Sequence, residues 1–155
     1  MEVRLASNKD IEAIHSLILP LAHEKKLLPR SRDQIAGDLN RTWVGKKSGQ
    51  IVATVCMIDF SPVLWEVRAL AVKPTFRSFG YGGKLLAKAL LGLREKNLEK
   101  VPYRVFALTY VPEFFTKHGF HVTSKDKFPE KVYEVCQFCA KLNDCKEVAV
   151  EYFEK

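Results

Sequence analysis

The sequence predicts an α/β chain of the α+β kind, with a mixed, largely antiparallel sheet and helices on both of its faces. Three observations carry that prediction. Two β-rich runs, 42–47 and 50–60, are joined through Lys47-Ser48-Gly49-Gln50, which is the spacing of an antiparallel hairpin. The run Trp65 to Val72 is nearly continuous in apolar residues after Glu66 and Arg68, as expected of a central strand buried on both faces. From Gly80 onward, helix-period and strand-period segments alternate as far as Val122.

The elements follow in chain order. Val3 and Leu5 alternate with polar neighbours and predict a first strand over 1–6. Ser7-Asn8-Lys9-Asp10 has the spacing of a capping box, and Ile11, Ile14, Leu17 and Ile18 then recur at helical intervals. Pro20 to Arg30 reads as a loop or a broken helix. A second box, Ser31-Arg32-Asp33-Gln34, opens a short helix through Leu39. After the hairpin and the central strand, 82–96 predicts a helix with Leu85, Leu86, Ala89, Leu90 and Leu93 on one face. A strand is expected over 104–108. A short helix should begin after Val111 at Pro112 and stop at Gly119, and a returning strand should run over 120–122.

A chain of 155 residues with 47% hydrophobic content is expected to form one domain, spanning 1–155, with a core of ordinary size. No apolar run approaches the length of about eighteen residues needed to cross a membrane, and the first residues are charged and alternating rather than signal-like. A cytoplasmic location is therefore expected. Twenty-five basic residues against eighteen acidic give a net charge of +7, which suits nucleic acid, an anionic membrane or a polyanionic cofactor. The lysines are scattered and lack aromatic interleaving, so a phosphate-rich small molecule accounts for the excess better than nucleic acid or membrane does. The sequence leaves the oligomeric state open, a homodimer included.

The most informative stretch joins the central strand to the helix after it. Gly80, Gly82 and Gly83 permit backbone angles and close approaches that a side chain forbids. The first amides of the helix have no partner within it and carry the positive end of its dipole, so the segment Arg77-Ser78-Phe79-Gly80-Tyr81-Gly82-Gly83-Lys84 reads as a cradle for a diphosphate. Two familiar phosphate loops do not fit. A dinucleotide fingerprint needs Gly-x-Gly-x-x-Gly directly after its strand, whereas Gly80-x-Gly82-Gly83 has another spacing. A nucleoside-triphosphate loop needs Gly-Lys-Ser/Thr, and Gly83-Lys84 is followed by Leu85.

What remains, Arg77-x-x-Gly80-x-Gly82 after a strand ending Leu70-Ala71-Val72, resembles the coenzyme A signature of the GNAT N-acetyltransferase superfamily. The order of the elements is also that of the superfamily. The segments 27–31, 106–115 and 131–139 narrow the likeness to the short, kinase-free bacterial N-acetylglutamate synthase-like enzymes, over nearly the whole chain. The resemblance implies acetyl-CoA as donor, L-glutamate as acceptor, direct transfer in a ternary complex, and a place at the entry to arginine biosynthesis. It assigns Leu70, Ala71 and Val72, with the cradle residues Arg77 to Lys84, to the cofactor.

Acyl transfer from a thioester to an amine requires a neutral amine, a stabilised carbonyl oxygen and a proton for the departing thiolate. Glu66 matches the carboxylate that many GNAT enzymes use as base; an exposed strand-start carboxylate beside a lysine is the plainer reading. Phe114-Phe115-Thr116-Lys117-His118-Gly119-Phe120 resembles the family's second signature, except that Phe115 replaces the tyrosine that commonly protonates the thiolate. Phe115 is then a cofactor contact without an acid, and Tyr110 either substitutes or simply packs.

A dicarboxylate acceptor calls for arginines, and Arg30 and Arg68 are the candidates. The strand period of two places Arg68 on the face of Glu66. Arg30 equally suits a capping role before Ser31. Cys136, Cys139 and Cys145 cluster within ten residues and are compatible with part of a zinc site, with free thiols or with a disulfide; no metal is expected for the reaction. His15, His23, His118 and His121 form no nucleophilic set. Two rival functions remain open: acetylation of a protein N-terminus, a lysine or a polyamine, and a non-catalytic acyl-CoA-binding module.

Overall fold

The structure, a computed structural model, describes residues 1–128 and 147–154. Seven strands pair in the order β1-β2-β3-β4-β5-β7-β6. The pairings β1–β2, β2–β3, β5–β7 and β6–β7 are antiparallel, and β4–β5 is parallel. The described residues fall into two compact units, one made of Met1–Ile58 with Val67–Leu98 and the other of Asp59–Glu66 with the described residues from Glu99 onward.

The first unit begins with β1 (Glu2–Leu5). The Ser7 box forms as expected: the Ser7 amide and hydroxyl both donate to Asp10 Oδ2, at 2.8 and 3.2 Å, ahead of α1 (Ile11–His23). Arg4 clamps the same carboxylate through Nη1 and Nη2, at 2.7 and 3.0 Å. The helix continues through Pro20 for one more turn, so the expected break there is only the helix end. The Ser31 box also forms, with Gln34 N donating to Ser31 Oγ and Ser31 N to Gln34 Oε1, and it opens α2 (Arg32–Gly37).

Strands β2 (Thr42–Lys47) and β3 (Gln50–Ser61) make the expected hairpin. Its turn holds Ser48 and Gly49 at φ 53° and 78°, the two left-handed positions that match the twist of the flanking strands. Strand β4 (Leu64–Val72) contributes its C-terminal part to this unit, followed by α3 (Tyr81–Lys96). Ile14, Ile18, Ile35, Val44 and Ala69 form one apolar cluster in it, with Leu27 and Leu39 packed against them. In α3, Gly92 lies so close to Trp43 that a Cβ would come within 2.6 Å of the indole Cζ2.

The second unit pairs the start of β4 with β5 (Tyr103–Thr109), Glu66 standing opposite Phe106. Helix α4 (Pro112–Thr116) starts on its proline as expected, Gly119 takes φ 92° at the stop, and β6 (His121–Thr123) follows. Strand β7 (Val148–Glu154) was not anticipated from the sequence, and it lies between β5 and β6. Leu64, Phe106, Phe128 and Ala149 form one apolar layer, in which the Phe106 and Phe128 rings stack at 4.1 Å.

Candidate functional site

The cradle lies wholly in the first unit. Ala69, buried within β4, takes φ 55°, a left-handed residue that interrupts the regular pleat just before Leu70, Ala71 and Val72. The chain then makes a single 3-10 turn, Pro74–Phe76, and Arg77 returns to an extended conformation with its Nε donating to the Val72 carbonyl at 3.0 Å. Ser78 and Gly80 are both left-handed, at φ 73° and 78°. Gly80 is the N-cap of α3, its carbonyl receives the Lys84 amide at 3.1 Å, and the first turn of the helix carries no acidic side chain.

These features fit a diphosphate. A Cβ built on Gly80 meets no atom within 4 Å, so the space at the head of the helix is open, and α3 is long enough to present a developed positive end. Gly83, in the first turn of the helix, is buried. Lys84 donates from Nζ to the Met1 carbonyl at 3.1 Å, and Arg77 is held at its root by Val72, so both cations are tethered at the edge of the cradle by main-chain oxygens.

Arg30 lies elsewhere in this unit and is already engaged. Its side chain is only 8% exposed, and Nη2 donates to Asp38 Oδ2. Arg41 meets the other oxygen of the same carboxylate through Nη2 and Nε, at 2.6 and 2.9 Å. Burial pushes the Asp38 carboxyl up, but the Arg41 hydrogen bond and the charge of Arg30 outweigh it, and its pKa falls below the ordinary value. Arg30 is thus a member of a largely buried ion-pair network rather than an open carboxylate receptor. Asp38 and Arg41, which complete the network, had no signal in the sequence beyond their charge.

Arg68 is half-buried, with guanidinium nitrogen Nη2 fully withdrawn from solvent. Along β4 both Glu66 and Val67 are buried, and Arg68, two positions after Glu66, is less so.

In the second unit, Glu66 is 2% exposed, which overturns its reading as an exposed strand-start carboxylate. The register runs from Glu66 to Phe106 and from Phe106 to Glu151 on β7, so two buried carboxylates flank one phenylalanine on the same sheet face. Glu151, missed in the sequence because its strand was missed, accepts from Arg104 Nη1 at 3.2 Å. Tyr110 follows β5 and is exposed, which disfavours a packing role. Phe115 is buried, edge-on to Phe114 at 5.1 Å and to Phe120 at 5.2 Å, and is a packing residue of this unit.

Cys136, Cys139 and Cys145 lie outside the described residues, as does the whole of the 131–139 segment. Among the described residues no group of three His, Cys, Asp or Glu side chains is placed to hold a metal ion, and no helix is long and apolar enough to cross a membrane.

Comparison with known proteins adds to this geometry. The model of the acetyltransferase (GNAT) domain matches residues 38–122. An uncharacterized N-acetyltransferase of Chlorobaculum tepidum is 32% identical over 96% of this chain and 93% of its own length. The amino-acid acetyltransferase of Neisseria meningitidis is 31% identical over 84% of this chain, which spans only 29% of that longer protein. The crystal structure of N-acetylglutamate synthase from Neisseria gonorrhoeae, complexed with coenzyme A and N-acetyl-glutamate, superposes with a TM-score of 0.83 at 26% identity. The match covers 99% of this chain and 35% of that one.

Proposed function

Because the chain belongs to the GNAT acetyltransferase family, whose acyl donor is acetyl-CoA, we propose that it acetylates the α-amine of an amino acid, L-glutamate, in the first committed chemistry of arginine biosynthesis. The observation that carries the acceptor is the likeness over 99% of the chain to a synthase whose structure holds coenzyme A and N-acetyl-glutamate together. The similarity to amino-acid acetyltransferases supports the same class.

Acetyl-CoA supplies an activated thioester, so the protein's own work is to position the amine, move protons and receive charge. The cradle from Arg77 to Lys84 receives the diphosphate through the first amides of α3. The amides of Leu70, Ala71 and Val72, which follow left-handed Ala69, serve the pantetheine arm and the thioester carbonyl. Glu66 takes the proton from the ammonium of the acceptor. A buried carboxylate suits that task because it is held in place and screened from solvent cations. Tyr110, exposed beyond β5, returns a proton to the thiolate. Arg68 receives an acceptor carboxylate, and Arg30 supports recognition through the Asp38 network rather than by direct contact.

The test is thiol release from acetyl-CoA with L-glutamate, lysine, spermidine and a peptide amine offered separately. Glutamate should be the acceptor that is turned over. Preference for the peptide or polyamine would retire the amino-acid reading, and turnover of none would leave a binding module.

A further inference from the structure

Three aromatic residues crowd the loop around the cradle. Phe76 closes the 3-10 turn, Phe79 sits in the loop, and Tyr81 is the first residue of α3. Phe76 and Tyr81 stack with centroids 6.3 Å apart and planes inclined by 28°, and Phe79 and Tyr81 stack at 5.8 Å and 30°. Tyr81 is half-buried and fixed by the helix, yet Phe79 is 66% exposed. Its neighbours on either side, Ser78 and Gly80, are both left-handed. A serine takes such a conformation only against its own preference, so the turn that holds Phe79 out of the core is imposed by the surrounding structure.

We propose that the Phe79 ring, backed by Tyr81 and Phe76, is a stacking platform for the adenine base of coenzyme A. The proposal rests on the assignment of the cofactor to the cradle and adds the part of the ligand that the cradle's amides do not touch. The adenosine is joined to the diphosphate through one ribose methylene. A diphosphate seated on the α3 amides therefore places its purine within reach of the loop side chains that flank those amides. Of these, Phe79 alone offers a broad exposed ring. A base stacks on an aromatic face whatever its hydrogen-bonding edge, and a ring already stacked on Tyr81, itself stacked on Phe76, surrenders little freedom when covered.

Equilibrium binding tests this without reference to turnover. Wild type and the variants Phe79→Ala, Phe79→Leu and Phe79→Tyr would be titrated with coenzyme A and with 4′-phosphopantetheine, which lacks the nucleoside. The fluorescence of 1,N6-etheno-coenzyme A would be followed in parallel. Phe79→Ala should lose about tenfold in affinity for coenzyme A and nothing for 4′-phosphopantetheine. Phe79→Leu, apolar but without a π face, should lose most of the same factor, and Phe79→Tyr should bind as wild type does. The etheno fluorescence should change on binding to wild type and lose that change in Phe79→Ala. Equal affinity of Phe79→Ala and wild type for coenzyme A would overturn the platform while leaving the cradle intact. So would a change in oligomeric state with binding unaltered, which would make Phe79 a contact between copies. Failure of wild type to bind coenzyme A at all would instead remove the cofactor assignment, and the platform with it.

Discussion

Asp38 binds Arg30 through one carboxylate oxygen and Arg41 through the other, and Arg30 is the more deeply buried arginine of the two, at 8% exposure against 31%. Removing one member of a buried pair strands the other, at a cost of about 3 kcal/mol, whereas a half-exposed pair contributes about 1 kcal/mol or less. A double-mutant cycle on Arg30→Ala and Asp38→Ala, measured by urea unfolding, should therefore give a larger coupling than one on Arg41→Ala and Asp38→Ala. Equal couplings would contradict the ranking by burial.

Acid stability has a second source in the first unit. The Arg4 hydrogen bonds hold the Asp10 carboxyl down at about 2, well below its ordinary value, helped by the Ser7 amide and opposed by burial. A lowered folded pKa stabilises above the unfolded value and loses that stabilisation as pH falls through the folded one. The window is therefore about pH 4 down to about pH 2, and the contribution above it is about 2 kcal/mol. Arg4→Gln should flatten the fall in stability across that window and lower stability at neutral pH. An unchanged pH profile of unfolding would show that Arg4 does not set the Asp10 titration.

Gly92 tests packing against propensity. In an exposed helix, glycine to alanine gains about 1 kcal/mol, but here the new methyl would meet the Trp43 ring at 2.6 Å. Gly92→Ala should lower the thermal midpoint, and Gly92→Ala with Trp43→Phe should recover part of the loss. A higher midpoint for the single variant would mean that the ring yields.

Glu66→Gln keeps the size of a buried side chain while removing its basicity. The expected loss lies in kcat, on the order of a hundredfold, with the KM for acetyl-CoA held, and it should shrink as pH rises and the acceptor amine deprotonates unaided. A pH-independent loss, or a loss confined to KM, would assign Glu66 to structure or to substrate contact.

Local chemistry was legible wherever a few adjacent residues decide it. The boxes at Ser7 and Ser31, the Ser48-Gly49 turn and proline at the head of α4 stand where the sequence placed them, and α3 begins one residue before the expected Gly82, because each depends on a bond made within four or five residues. What escaped was nonlocal. Val148 to Glu154 alternates like a strand, but its insertion between β5 and β6 depends on pairing partners 26 to 51 residues away, and Glu151 went with it. Arg30 was visible as a cation. Its capture by Asp38 depends on how α2 ends. Phe76, Phe79 and Tyr81 were visible as aromatics, but their stacking requires two left-handed residues in three, of which only the glycine announces itself.

The acceptor is the central claim, and the ratio of kcat/KM for L-glutamate to that for L-glutamine, measured under saturating acetyl-CoA, tests it most directly. The two differ only in the charge and hydrogen-bonding of one terminal group. A site that aims an arginine at that group leaves the cation unpaired when glutamine binds, at about 1.5 to 3 kcal/mol, so glutamate should be favoured by roughly ten- to a hundredfold. Arg68→Ala should bring the ratio close to one by raising the KM for glutamate. A wild-type ratio near one, or a preference for glutamine, would contradict the account.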